Sequence, residues 1–216
     1  MCATDRFQLE FKLNFLRGVQ FGPVDRWNFP KREREIIRKT PDGQLVVSMA
    51  RWGLIPPNSP DGTTKLNTYN ARDDSLLMER SLFLRPFEKR RCLLIGTSFI
   101  EQGDRYEKRV PIEVVPQRGA PYCYAGLWER WGEGDAKFES CTMITTEPNE
   151  VIAPFHSRMP VLLTKEEGEF WLDRNASRAD LLSLLRPAPS DDMIVRDAEL
   201  PPRKSASQVY VGETLF

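Results

Sequence analysis

The feature that most constrains this chain is the density of strand-like runs between Arg91 and Thr146. Arg91-Cys92-Leu93-Leu94-Ile95 is continuously apolar after its first residue and reads as a strand buried on both faces, with Ser98-Phe99-Ile100-Glu101 continuing it. Val110–Val115, Cys123–Trp131 and Glu139–Thr146 follow, the last two joined by a Gly132-Glu133-Gly134-Asp135 hairpin turn. Upstream, Glu35–Lys39 and Gln44–Trp52 flank a Pro41-Asp42-Gly43 turn. Strands joined by turns pair antiparallel, so the fold class is α+β: mostly antiparallel strands, closing into a barrel, with a few short helices.

Four helical segments are expected. Phe7–Val19 ends on helical spacing, Asp73-Asp74-Ser75 can cap a helix from about Leu76, Thr164 caps one starting at Lys165, and Ala179–Leu185 is the last. Glu166 and Glu167 suit the positive end of the third. Arg26–Pro30 and the Pro- and Gly-rich Ile55–Thr64 read as loops, and Asn149–Ile152 as one helical turn ending before Pro154. The whole, residues 1–216, reads as a single domain with a loosely packed tail from about 187.

No apolar run is long enough to cross a bilayer, and the N-terminus lacks a secretion-signal pattern, so a cytoplasmic protein with no membrane partner is expected. The four cysteines contain no CxxC pair. Cys92, Cys123 and Cys141 sit in or beside apolar runs and read as buried free thiols. Lys and Arg number 31 against 31 Asp and Glu, which gives no long-range attraction to nucleic acid. Local basic clusters, among them Arg38-Lys39 and Arg85 to Arg91, are for the most part interrupted by acids and read as solvated faces.

The chain has one histidine, His156, in Ala153-Pro154-Phe155-His156-Ser157-Arg158-Met159-Pro160. One histidine cannot build a two-histidine zinc site, and no cofactor or metal is expected; it can serve as a general acid/base. Arg158, two residues on, would share its face on a strand, and the two together suit a phosphate or leaving group. Glu101 ends an apolar run, where partial burial would raise its pKa toward a usable acid/base. Cys2 gains a free α-amine if Met1 is removed, and a 1,2-aminothiol condenses with an aldehyde to a thiazolidine. Each of these has a bland alternative: a small residue after Met1, a surface histidine, a solvated strand-end glutamate. Asn70, Arg72, Thr145 and Thr146 are polar groups at strand ends, each unremarkable alone.

Taken together these stretches resemble the SRAP (SOS-response-associated peptidase) family of abasic-site-processing proteins. The resemblance rests on Met1-Cys2, Arg51-Trp52-Gly53-Leu54-Ile55-Pro56, Asn70-Ala71-Arg72, Phe99-Ile100-Glu101, Ala125-Gly126-Leu127-Trp128, Ile144-Thr145-Thr146-Glu147-Pro148-Asn149 and His156 through Leu163. It implies a protein, expected as a monomer, that binds single-stranded DNA at abasic sites, also at single-strand/double-strand junctions. It implies that Cys2, once Met1 is lost, forms a thiazolidine crosslink with the ring-opened sugar. Asn70 would position the cysteine and the sugar, and Glu101 would shuttle protons. His156 would handle protons on the sugar and support strand cleavage by elimination. Arg72, Thr145 and Arg158 would hold phosphates, and the family name implies a self-processing peptidase.

The chain departs from the family pattern at its DNA-gripping positions. Ala3-Thr4-Asp5 intervene before Arg6-Phe7, Asn28-Phe29-Pro30 shortens an Asn-Val-Ala-Pro loop, and Pro57-Asn58-Ser59 stand where relatives carry tryptophan. Ile100 and Gln102 flank Glu101 in place of an aromatic pair. Base stacking is worth about 1–3 kcal/mol per base, so weaker strand binding is expected. Two other readings stay open: a Cys/His thiol peptidase or amidase on other substrates, and a non-catalytic single-strand binder.

Overall fold

The computed structural model describes residues 4–10, 13–16, 19–105, 108–119 and 121–200. Its strands are, in chain order, β1 (Thr4–Leu9), β2 (Leu13–Leu16), β3 (Val19–Phe21), β4 (Val24–Asn28) and β5 (Glu33–Lys39). Then come β6 (Leu45–Trp52), β7 (Asn70–Arg72), β8 (Arg91–Gly96), β9 (Ser98–Arg105) and β10 (Lys108–Pro116). The last are β11 (Tyr122–Trp131), β12 (Phe138–Thr146), β13 (Met159–Pro160), β14 (Leu162–Leu163) and β15 (Met193–Asp197). The α-helices are short: α1 (Leu84–Lys89), α2 (Lys165–Trp171) and α3 (Arg178–Ser183). The α+β reading therefore holds, with strands dominant.

Five strands close on themselves in the order β12-β6-β5-β8-β11, because β11 also pairs with β12. All the pairings are antiparallel except that of β12 with β6, which is parallel. Alternate residues fill the interior: Ile36, Ala50, Trp52, Cys92, Leu94, Tyr124, Trp128, Cys141 and Met143 form one buried cluster. The intervening residues Ile37, Leu93, Ala125, Leu127 and Ile144 belong to a second cluster outside, with Trp171 of α2. This period-two sorting is what a strand buried on both faces requires, and every residue of β8 is buried. Gly126 has no Cβ for a steric reason: one would overlap a Leu94 methyl inside the barrel.

A five-stranded sheet, β15-β10-β9-β1-β4, covers one mouth of the barrel. Its Phe99 and Val114, with Met193 at the start of β15, join the interior cluster. The polypeptide crosses from barrel to sheet at Gly96-Thr97, so Ser98–Glu101 does not continue β8 but opens β9 in the other sheet. A Cβ on Gly96 would lie 2.8 Å from the Tyr124 hydroxyl and 3.1 Å from Asp5 Oδ1, so this crossing has room only for glycine.

The N-terminal segment is corrected. In place of a helix over Phe7–Val19 the structure has β1, β2 and the start of β3. The alternation of Asp5 and Phe7 (buried) with Arg6 and Gln8 governs, because β1 is flanked by β4 and β9. Arg26–Asn28, expected as loop, lies in β4 on its other side. The helix expected from Leu76 is a single 3-10 turn over Asp73–Ser75, and the α-helix comes later as α1. Residues 193–197, inside the expected loose tail, are β15, paired with β10 and anchored by buried Met193. The capped helix is as expected: the Thr164 hydroxyl accepts from the Glu167 amide while the Glu167 carboxylate accepts from the Thr164 amide. Cys92, Cys123 and Cys141 are buried free thiols. Among the described residues no helix is long and apolar enough to cross a membrane.

Candidate active site

Glu101 stands in β9 opposite Ile112 of β10 and is only 3 % exposed. Two residues further along the same face of β9, Gly103 has no Cβ, and Phe155 occupies the space, its ring 2.8 Å from where a Cβ would sit. Phe155 belongs to a turn that the sequence alone would end before Pro154 but that runs on to His156. The Asn149 side chain starts it by accepting from the Ile152 amide (3.1 Å), and the His156 amide donates to the Ile152 carbonyl (3.0 Å). Ile152 is fully buried in the interior cluster. The turn is thus pinned at both ends, and His156 Nε2 comes to 3.8 Å from Glu101 Oε2.

The other ring nitrogen has a matched environment. Arg158 N–H lies 3.0 Å and Arg158 C=O 2.9 Å from His156 Nδ1. The amide is satisfied when Nδ1 is bare and the carbonyl when Nδ1 carries a proton, so either tautomer is served by one residue. Exchange between the two moves the proton from one ring nitrogen to the other, and Nε2 is the nitrogen that faces the Glu101 carboxylate. His156 and Arg158 do not share a strand face, contrary to expectation: both precede β13, and the bend between them is closed by these Nδ1 contacts.

The Arg158 guanidinium turns inward, donating to Asp73 and to the Thr145 carbonyl. Thr145 is fully buried; its hydroxyl lies 3.5 Å from the Ala71 carbonyl. Arg72 is exposed and pairs with Asp74. Asn70, 5 % exposed, opens β7, which runs parallel to β12 so that Asn70 faces Met143 and Arg72 faces Thr145. β13 pairs with the other side of Thr145 and Thr146. Asn70, Arg72, Thr145 and Arg158 are therefore gathered around the end of β12, and the His156–Arg158 bend links them to Glu101. Cys2 lies outside the described residues. The first described residue, Thr4, stands opposite Ile100, beside Glu101.

Sequence reasoning missed Asp73, Asn149, Phe155 and Gly103 as parts of this arrangement. Asp73 follows directly on Asn70-Ala71-Arg72, but the partner that makes it matter, Arg158, is 85 residues away. It also missed a buried ion pair under β1. Asp5, with no exposed surface, accepts from Arg34 and from Asn28 Nδ2 (2.7 Å), while Arg34 also donates to the Ile95 carbonyl (3.1 Å) and lies over the Trp52 ring (4.9 Å). Burial pushes the Asp5 carboxyl above its ordinary value, against the pull of Arg34. Among the described residues no group of three or more His, Cys, Asp or Glu is placed to hold a metal ion.

Comparison with known proteins gives a consistent neighbourhood. The profile of the SOS response associated peptidase (SRAP) family matches residues 3–199. The abasic site processing protein YoqW of Bacillus subtilis (strain 168) is 38 % identical over 147 residues, covering 66 % of this chain and 65 % of that one. The chain thus spans just under two thirds of the length of that relative. The abasic site processing protein HMCES of Pongo abelii is 26 % identical over 184 residues, covering 70 % of this chain and 52 % of that one. Among crystal structures, a protein from Bordetella bronchiseptica aligns with a TM-score of 0.76 at 25 % identity over 92 % of this chain and 100 % of that one. One from Bacteroides thetaiotaomicron aligns with a TM-score of 0.70 at 29 % identity over 78 % and 75 %.

Proposed function

Because the chain belongs to the SOS response associated peptidase (SRAP) family, we propose that it processes abasic sites in single-stranded DNA through a covalent link to Cys2. Removal of Met1, by the family's self-processing peptidase activity, frees the Cys2 amine. The amine attacks the C1′ aldehyde of the ring-opened sugar, water leaves, and an imine forms. The Cys2 thiol adds to the imine carbon as its proton passes to the nitrogen, closing the five-membered thiazolidine. Glu101 moves protons in ring opening and in reversal of the link. His156 Nε2 exchanges protons with the sugar and supports a lyase-type elimination. Asn70 positions the cysteine and the sugar. Arg72, Thr145 and Arg158 serve the flanking phosphates, Arg72 from the surface and the other two from the buried frame behind it.

One observation carries this reading: a buried carboxylate and the only histidine meet at 3.8 Å, beside the strand that leads back to the N-terminus. The relatives' names point to the same substrate class.

The test is an intact-mass measurement and a denaturing gel after mixing the protein with an abasic-site oligonucleotide, with Cys2→Ala alongside. The expected result is an adduct of the wild type alone, lighter than the sum of its parts by one water and lacking Met1. Absence of an adduct from protein shown to lack Met1 overturns the proposal. Acetylating the Cys2 amine should abolish the adduct; an adduct that survives it would mean thiolate attack alone, as in a thiol peptidase.

A further inference from the structure

Two basic runs that read as solvated faces in the sequence converge in the fold. Arg38 and Lys39 end β5, Arg85 and Lys89 lie four apart on α1, and Arg130 follows the inward-facing Trp128 of β11. With Arg90 and Arg174, they surround a cavity of about 290 Å³ at the barrel mouth far from the candidate active site. Its floor is built. Trp128 closes the lumen, and the guanidiniums of Arg38, Arg90 and Arg130 lie over its ring at 4.6, 5.8 and 5.8 Å. Two carboxylates, the part-buried Glu139 and the buried Glu129, hold them there: Glu139 accepts from Arg38 at 2.8 and 3.0 Å, and Glu129 from Arg90 at 2.8 Å. Those acids are fully engaged with the floor. On the walls, Lys39, Arg85 and Lys89 form no ion pair among the described residues, so cations exceed anions at this mouth of a chain whose net charge is zero. Arg174 is fixed by donating to the carbonyls of Pro41 and Lys39.

We propose that this cationic mouth is a second nucleic-acid contact that takes backbone phosphates of the strand whose damaged nucleotide sits at Glu101 and His156. The proposal rests on the functional reading above. β12 joins the two places: Glu139 is six residues before Thr145, about 20 Å along a strand. A strand must therefore be several nucleotides long to touch both. Exposed cations without partners suit phosphates, which they bind by releasing counterions and without base preference. Contact here also offsets the loss of stacking aromatics near Glu101, and the local excess of cations gives a chain of zero net charge a hold on a polyanion.

The experiment is equilibrium binding of undamaged single strands of about four and about sixteen nucleotides, the range of known single-strand site sizes, across a salt series. The proteins compared are the wild type and the double variant Arg85→Glu/Lys89→Glu. Both side chains are exposed, and an unchanged melting temperature confirms folding. The expected result is about a tenfold or greater loss of affinity for the long strand. The slope of log K against log salt should become shallower by about 0.7 for each phosphate that the variant no longer neutralises, with the short strand unaffected. Equal loss for both lengths, or no change for either, overturns the proposal. Because no abasic site is used, failure here is distinct from failure of the Cys2 chemistry, which the adduct assay reads separately.

Discussion

The pairing of His156 with Glu101 turns a lone histidine into a candidate proton carrier. Its Nδ1 is served by Arg158 in either tautomer, so proton gain and loss at Nε2 cost little rearrangement. His156→Gln is expected to slow adduct formation about a hundredfold or more while leaving the Kd for an undamaged strand unchanged, as single-turnover kinetics and equilibrium binding will show. An equal fall in both would mark His156 as a binding residue. The cysteines provide a second check. Burial pushes the Cys141 thiol up to about 12, and Cys92 and Cys123 are raised as well. Thiolate is the reactive form, so a brief alkylation of native protein at about pH 7.5 should label one of the four cysteines, Cys2, and all four after denaturation. Labelling of Cys141 in the native protein would contradict the burial.

At the scale of elements, the helices are peripheral clamps. α2 lies against β11 so closely that a Cβ on Gly168 would sit 3.0 Å from Cys123 Sγ, and its Trp171 indole donates to the Cys92 and Gly126 carbonyls. What starts α2 is its capping box. Burial alone would raise the Glu167 carboxyl, but its bonds with Arg186 and the Thr164 amide outweigh that and hold it below the ordinary value of 4.5. A carboxylate depressed in the native state contributes stability above its unfolded pKa and loses it as pH falls through the native one. Glu167→Gln should therefore lower stability near pH 7 and narrow the gap to wild type as the pH falls below about 4.5, measured by urea denaturation at several pH values. A gap independent of pH would assign the effect to packing.

At the scale of the whole molecule, the barrel and the covering sheet are joined by a buried charge pair. Asp5 comes from the sheet, Arg34 from the barrel, and the Arg34 guanidinium also reaches the C-terminal end of β8. Removing one partner of such a pair strands the other. Asp5→Ala is expected to cost about 3–5 kcal/mol in denaturant unfolding. It should also slow the Cys2 chemistry, since β1 is the strand that leads to Cys2. A cost below about 1 kcal/mol would mean that Arg34 finds water instead. The same architecture separates the two mouths of the barrel, one under the sheet with the candidate active site, the other lined by cations.

How much of this was legible beforehand depended on the range of the interaction. Local patterns were enough for β5, β6, β8, β11 and β12, because alternation and turn residues act over a few positions, and for the start of α2, where Thr164 and Glu167 meet within one turn. Motif order was enough to pick out Asn70, Glu101 and His156 as candidates. The sequence could not show that β8 and β9 part at Gly96-Thr97, because both halves are apolar and only the crowding of Tyr124 and Asp5 decides it. Nor could it show that the N-terminal run is strand rather than helix, since its partners β4 and β9 come from elsewhere in the chain. The same holds for the contact between Glu101 and His156, for Arg158 turning inward to Asp73, and for two basic runs meeting around Trp128. Those are contacts between residues tens of positions apart, and only closure of the barrel, which buries their shared neighbours, brings them within reach.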